Sequence, residues 1–383
     1  MKAQILKLIY KLLTVILLLV FSFSVKAQNG KLNKTYKWSY QVNKNAIIYL
    51  ENYDCDVKIE PSDKNIVEFE LHINAESPNE EDINNLKKFL ENLDFNGNPD
   101  EMKFTTKIYE SRNSKGIKTD QKIEMKLINN TEIFLSMFEI GAILRLPSYS
   151  KLNLSTKYST INLCNVKSLM LNSYNDKVYA GNVYNPSEIN AKYSNIEFNN
   201  LTDSKIDLYD CTLEANKAGI IDLKTKYSKI YIDSASNIKI YSYNDKMEFK
   251  KTGDVKIDTK YSDFSSIISG DIYIDVYDSN FEIGQAGKIE IIKTKYSDYI
   301  FKKSDELVIS LSYDDKFEIG QVSSAKIYET KYSDYEIKVI GTITGNKAGF
   351  LSRFWRSSSP LGFLIIAPTK TSLLSFIIHF SSN

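Results

Sequence analysis

The tripeptide Lys-Tyr-Ser recurs six times in this chain, with its tyrosine at Tyr158, Tyr193, Tyr227, Tyr261, Tyr296 and Tyr332, in steps of 35, 34, 34, 35 and 36 residues. A second tyrosine stands in each interval, at Tyr174, Tyr209, Tyr243, Tyr277 and Tyr313. Eleven marks therefore follow one another at spacings of 16 to 19 residues. Self-similarity at a fixed short period belongs to repeat architectures, in which each unit buries its apolar face only by stacking on the next. The period constrains the fold far more tightly than the function.

The units read as strands. In Val255-Lys-Ile257-Asp-Thr259-Lys-Tyr261-Ser-Asp-Phe264 the apolar residues alternate with polar ones, skip at Ser-Asp and resume at Phe264. Alternation marks a strand with one buried face, and the skip marks a corner. Gly, Asn, Asp and Ser punctuate a second corner, as in Ser269-Gly270-Asp271. The expected fold is all-β: a single-stranded parallel β-helix, or β-solenoid, with rungs of 16–19 residues, two short strands and two corners per rung. The two rung types differ by one residue at the tyrosine corner. Strict alternation then turns the Lys-Tyr-Ser tyrosines inward, in phase with Val255, Ile257 and Thr259. It leaves Tyr174, Tyr209, Tyr243 and Tyr277 facing solvent. The same reading interleaves the repeated lysines with Ser173, Leu208, Ser242, Val276 and Ser312.

Four segments follow. Residues 1–27 combine Lys2, Lys7 and Lys11 with an apolar stretch at 12–23 and the small-residue site Val25-Lys26-Ala27, which reads as a signal peptide. Residues 28–147 form an N-terminal β region, serving as cap and first rungs, with one inserted α-helix near 78–95. Tyr53-Asp-Cys55-Asp-Val57 there mirrors Tyr209-Asp-Cys211-Thr-Leu213, so the solenoid pattern starts and is then interrupted. For the helix, Ser77 is the expected N-cap, with Pro78 at the first helical position and Glu80 completing a capping box. Ile83, Leu86, Leu90 and Leu93 line one face, and Gly97 is the expected stop. A hairpin is expected within 102–127. Residues 148–341 carry the regular repeats. Residues 342–383 are an atypical apolar tail whose two apolar runs are each too short to span a bilayer.

Charge narrows the function. The formal net charge is +1, and removing the four lysines of the leader takes it to −3. That balance, with arginine only at Arg112, Arg145, Arg353 and Arg356, argues against a nucleic-acid footprint. Cys55, Cys164 and Cys211 are an odd set with no zinc spacing, and read as small buried hydrophobes. No nucleophile elbow, phosphate loop or metalloprotease motif occurs. Asp314-Asp315 and the recurring Asp176, Asp210, Asp245 and Asp278 read as corner formers rather than catalytic pairs, because they repeat on many rungs. No catalytic residue, cofactor or metal ligand is therefore assigned. The candidate binding strip is Tyr174, Tyr209, Tyr243 and Tyr277 with Lys226, Lys260 and Lys295. Its bland alternative is a solvated face whose lysines guard the sheet against aggregation.

Two stretches carry a family resemblance. They are Ile48-Tyr-Leu50-Glu-Asn52-Tyr-Asp-Cys-Asp-Val57-Lys-Ile59 and Leu144-Arg-Leu-Pro147-Ser-Tyr-Ser-Lys-Leu152-Asn-Leu154-Ser-Thr-Lys-Tyr158-Ser-Thr-Ile161. They resemble the openings of a bacterial family of exported β-helical proteins of unknown function, labelled adhesins from their fold and related to head domains given the name auto-transporter adhesins. Tyr-Ser or Tyr-Asp stands here where that family often has glycine. The resemblance implies surface exposure and an adhesive or envelope role, and supplies no catalytic residues. With the signal peptide and the absence of catalytic motifs, the expectation is a non-enzymatic binding protein in the periplasm, on the outer-membrane surface or outside the cell, whose Lys/Tyr strip would meet a cell-surface glycan or an envelope protein. A polysaccharide-active β-helix enzyme and a purely structural or signalling envelope element are the alternatives.

Overall fold

Strand after strand in the repeat region pairs in parallel not with its neighbour in sequence but with the next strand but one. Lys151–Lys157 pairs with Ser168–Tyr174, which pairs with Ser187–Lys192. Thr160–Leu163 pairs with Lys177–Val183, which pairs with Asn195–Leu201. Two parallel faces are thus wound by one chain, with a corner at each change of face. This is the expected solenoid. The computed structural model describes residues 29–115 and 122–338, with backbone alone for 339–348, 353–355, 365–366 and 376–379. The segment expected to be a signal peptide and most of the tail lie outside the described residues.

The chain forms two compact units. One contains 70–95 and the described residues of 107–142 and of the segment ending at Trp38. It holds the helix, α1 (Glu80–Glu91). The cap differs from the expected one: Asn79 accepts from the Glu81 N–H, while Ser77 Oγ donates to the Phe134 carbonyl. Pro78 precedes the cap, and α1 ends at Asn92, whose side chain donates to the Lys88 carbonyl, not at Gly97. Ile83, Leu86, Phe89 and Leu90 are buried, and the helix packs on the strand Glu132–Leu135. That strand pairs with Lys122–Leu127, which forms the expected hairpin with Tyr109–Lys115.

The second unit contains 39–69, 96–106 and the described residues from 143 onward. The interrupted start is real. Lys151–Lys157 stacks on Ile47–Tyr53, and Thr160–Leu163 on Asp56–Ser62. Glu101–Thr105, within the stretch expected to form the hairpin, instead pairs in parallel with the other edge of Ile47–Tyr53.

The rung repeat is more even than the tyrosine spacing. Lys157 faces Tyr174, Lys192 faces Tyr209, and Lys226 faces Tyr243, so each step in one column is 17 or 18 residues. The tyrosines scatter over 16 to 19 because they occupy two adjoining columns in turn. After one 18-residue step from Tyr174 to Lys192 the rungs run at 17 residues until a bulge, where Ile274 faces Ile291 but Asp275 faces Lys293, and at 18 beyond it. The extra residue, Ile292, is exposed. From the rung that carries the bulge onward, single 16-residue strands run across the second corner: Asn280–Lys295, Asp298–Tyr313 and Lys316–Lys331.

The interior is apolar on both faces. Leu154, Leu171, Ile189, Ile206, Leu223 and Ile240 form one buried column. On the other face the longer rungs hold large rings. Phe281, Tyr299, Phe317 and Tyr335 stack with centroids 5.3, 4.7 and 4.6 Å apart, the last two pairs within 4° of parallel. At the second corner, Asp and Asn side chains each accept a backbone N–H from the next rung, as Asp203 does from Ile220 and Asp254 from Asp271. Gly219 lies over Asp203, and a Cβ there would stand 2.4 Å from Asp203 Oδ1.

Candidate functional site

The tyrosine corner is built on a left-handed residue. Its φ lies between 48° and 61° at twelve successive corners, occupied by Asp54, Tyr158, Asn175, Tyr193, Asp210, Tyr227, Asn244, Tyr261, Asp278, Tyr296, Asp314 and Tyr332. This conformation costs an L-residue roughly 1–2 kcal/mol, least for Asn and Asp. A left-handed residue breaks the strict alternation of a strand. It is why the inward orientation expected for the Lys-Tyr-Ser tyrosines is wrong. Tyr158 is 46 % exposed and Tyr227 also 46 %, against 36 % for Tyr174 and Tyr243.

Both sets of tyrosines share one outer edge. The column before the left-handed residue alternates Lys157, Tyr174, Lys192, Tyr209, Lys226, Tyr243, Lys260 and Tyr277. The lysines are therefore interleaved with tyrosines, not with Ser173, Leu208, Ser242, Val276 and Ser312, which sit one residue earlier and face the interior or its margin. The next column alternates tyrosine with Asn or Asp. The result is a checkerboard in which every rung presents one ring.

Successive rings come from different columns, so they meet edge to face. From Tyr53 through Tyr158, Tyr174 and onward to Tyr332, twelve rings form one unbroken ladder. Its centroids are 5.3–5.9 Å apart and its planes cross at 76–90°. Edge-to-face pairs contribute about 0.5–1.5 kcal/mol each, which offsets the strain of holding tyrosine at positive φ. Lysines lie on the ladder. Lys295 Nζ is 4.5 Å from the Tyr296 ring centre and 4.8 Å from that of Tyr313, and Lys226 is 5.9 Å from that of Tyr243. The Lys295 ammonium is shifted up, chiefly by its hydrogen bond to Tyr296. The Tyr193 and Tyr261 phenols are also raised, by partial desolvation first and by neighbouring tyrosines second.

The structure thus brings Tyr174, Tyr209, Tyr243, Tyr277, Lys226, Lys260 and Lys295 onto one edge. It adds Tyr53, Tyr158, Tyr193, Tyr227, Tyr261, Tyr296, Tyr313 and Tyr332, which the alternation rule had excluded or left unplaced. One signal was available. Tyr174-Asn175-Asp176 aligns with Lys157-Tyr158-Ser159, and Asn-Asp at a corner marks a position that tolerates positive φ.

Behind the ladder runs a buried polar column. Ser159, Asp176, Ser194, Cys211, Ser228, Asp245, Ser262, Ser279, Ser297, Asp315 and Ser333 take the residue after the left-handed one. Serines accept an N–H from the rung below and donate to their own rung, as Ser194 Oγ does with Asp176 N–H and the Lys192 carbonyl. The corner aspartates are therefore of two kinds. Asp210, Asp278 and Asp314 are exposed left-handed residues. Asp176, Asp245 and Asp315 are buried acceptors whose partners are hydroxyls and backbone N–H groups. Burial raises all three carboxyls, Asp315 to about 6. They bind the corner together and do not converge on an open cleft. Cys55 and Cys211 are buried at this same corner column, and all three cysteines are free thiols. Among the described residues no group of three His, Cys, Asp or Glu side chains is placed to hold a metal ion. No described helix is long and apolar enough to cross a membrane.

Fold and edge together define a two-faced parallel β-solenoid with an outer tyrosine ladder. Comparisons with protein-family models, with curated proteins and with solved structures find no match to this chain.

Proposed function

We propose that this chain is an exported, non-enzymatic binding protein of the cell envelope, adhesin-like in role, which holds an extended glycan along its tyrosine ladder. One observation carries the reading: partly exposed rings follow one another, one per rung, without a gap from Tyr53 to Tyr332. Aromatic faces beside amide, carboxylate and ammonium groups suit sugar rings, whose C–H faces stack while their hydroxyls hydrogen-bond. The repeat of one ring per rung suits a linear chain rather than a single small molecule. The export half of the reading rests on the leader sequence, and the adhesin-like half on the resemblance given above.

The test is glycan-array binding by the full chain, with Tyr209→Ala/Tyr243→Ala/Tyr277→Ala as the control. Retention of linear glycans that falls at least tenfold in the triple variant supports the reading. Retention of no glycan, or retention unchanged by the three substitutions, overturns it and leaves the ladder a structural edge.

A further inference from the structure

The lysines of the edge recur at every second rung, while a ring stands at every rung. Rungs in a parallel sheet lie about 4.8 Å apart, so the lysines repeat at about 10 Å along the edge. That is close to the length of one disaccharide in an extended β-linked glycan. Among the described residues no carboxylate lies within ion-pairing distance of Lys157, Lys192, Lys226, Lys260 or Lys295, whereas Lys331 has Glu329 at 3.7 Å. Lys226 and Lys295 are laid onto the ladder by their contacts with Tyr243, Tyr296 and Tyr313. Asp210, Asp278 and Asp314 share the edge, so from 157 to 332 it carries six lysines against three aspartates. The edge is thus cationic at a two-rung interval within a chain whose overall charge is close to zero.

We infer that the ladder takes a linear acidic polysaccharide carrying one carboxylate per disaccharide, its sugar rings lying along successive tyrosines and its uronates meeting successive lysines. This rests on the glycan-binding reading above and specifies the ligand class. A polymer charged at every unit would leave half its charges opposite tyrosine. A neutral polymer would leave the lysines without a counter-charge.

The experiment measures binding of the full chain to three oligosaccharide sets of equal length: hyaluronate, in which uronate alternates with a neutral sugar; polygalacturonate, charged at every sugar; and neutral chitin oligomers. Inorganic polyphosphate is the control for unspecific polyanion binding. The expected result is that hyaluronate binds on the order of tenfold tighter than chitin oligomers, with the advantage shrinking as salt screens the exposed charges. In Lys226→Ala/Lys260→Ala/Lys295→Ala hyaluronate binding should fall severalfold further than chitin binding, closing most of the gap between the two, and unchanged thermal melting verifies the fold. Equal binding of hyaluronate and chitin oligomers overturns the inference. So does tighter binding of polygalacturonate or polyphosphate, or a triple lysine variant that keeps the preference. Neutral binding that is lost in the tyrosine variant would leave the glycan reading standing without the acidic ligand, whereas no binding of any sugar removes both.

Discussion

Asp315 offers a direct measure of what the polar corner costs. Its carboxylate is 3 % exposed and accepts from the Ser297 and Tyr313 N–H groups and the Thr294 and Ser312 hydroxyls. Burial, the dominant cause, lifts it from an ordinary 3.8 to about 6. A carboxyl whose folded pKa exceeds its unfolded one binds its proton more tightly in the folded chain. Its contribution is most favourable below pH 4 and is lost as pH rises through about 6. At about 1.36 kcal/mol per unit, the full swing is about 3 kcal/mol. About 1 kcal/mol of it falls between pH 5 and pH 7. Asp315→Ser installs the residue used at Ser279, Ser297 and Ser333 and removes the titration. Urea unfolding of both proteins at pH 5 and pH 7 gives the double difference. Hydrogen exchange at the Ser297 N–H, which donates to Asp315, gives a local reading. The parent chain should gain about 1 kcal/mol more than the variant on going from pH 7 to pH 5. Parallel pH profiles would show that the corner solvates this charge fully, and the reasoning would fail.

Two further substitutions test the rings. Phe317 is fully buried between Tyr299 and Tyr335, so Phe317→Ala should lower stability by about 3–5 kcal/mol, read as the urea midpoint of the C-terminal rungs. A loss under 1 kcal/mol would mean that the stack collapses onto the gap. Tyr227 sits at φ 58°, and both Tyr227→Asn and Tyr227→Val remove its contacts with Tyr209 and Tyr243. The valine variant should be less stable by a further ~1–2 kcal/mol, because only Asn accepts the left-handed backbone cheaply. Equal melting of the two would contradict the assigned corner geometry.

The tyrosine period, the alternation within each unit and the match of Tyr53-Asp-Cys55 to Tyr209-Asp-Cys211 were enough to read a two-stranded rung, parallel stacking and an interrupted start; that Tyr158 stacks on Tyr53 came from the register. Side-chain direction at the corner was not legible by alternation, because one residue at positive φ resets the phase, and tyrosine is a residue rarely found there. Once the phase is reset, Tyr158 joins Tyr174 on one edge and the lysines fall opposite tyrosines. The inner stack was hidden for another reason. Phe281, Tyr299, Phe317 and Tyr335 look like ordinary apolar positions in sequence, and only the register brings them over one another. The same holds for the buried aspartates. Asp315 follows Asp314 directly, yet the corner turns one into the interior and the other into solvent. The helix face was plain from its period, while its cap shifted by two residues because Ser77 is engaged by the Phe134 carbonyl.

One junction in the stack stands apart from the rest. Each later step of the ladder crosses 16 to 19 residues of chain, but Tyr53 and Tyr158 touch across 105. Closing a long loop costs more entropy than closing a short one, and contacts distant in sequence form late. This junction therefore carries the largest closure cost in the ladder, and every step after it a smaller one.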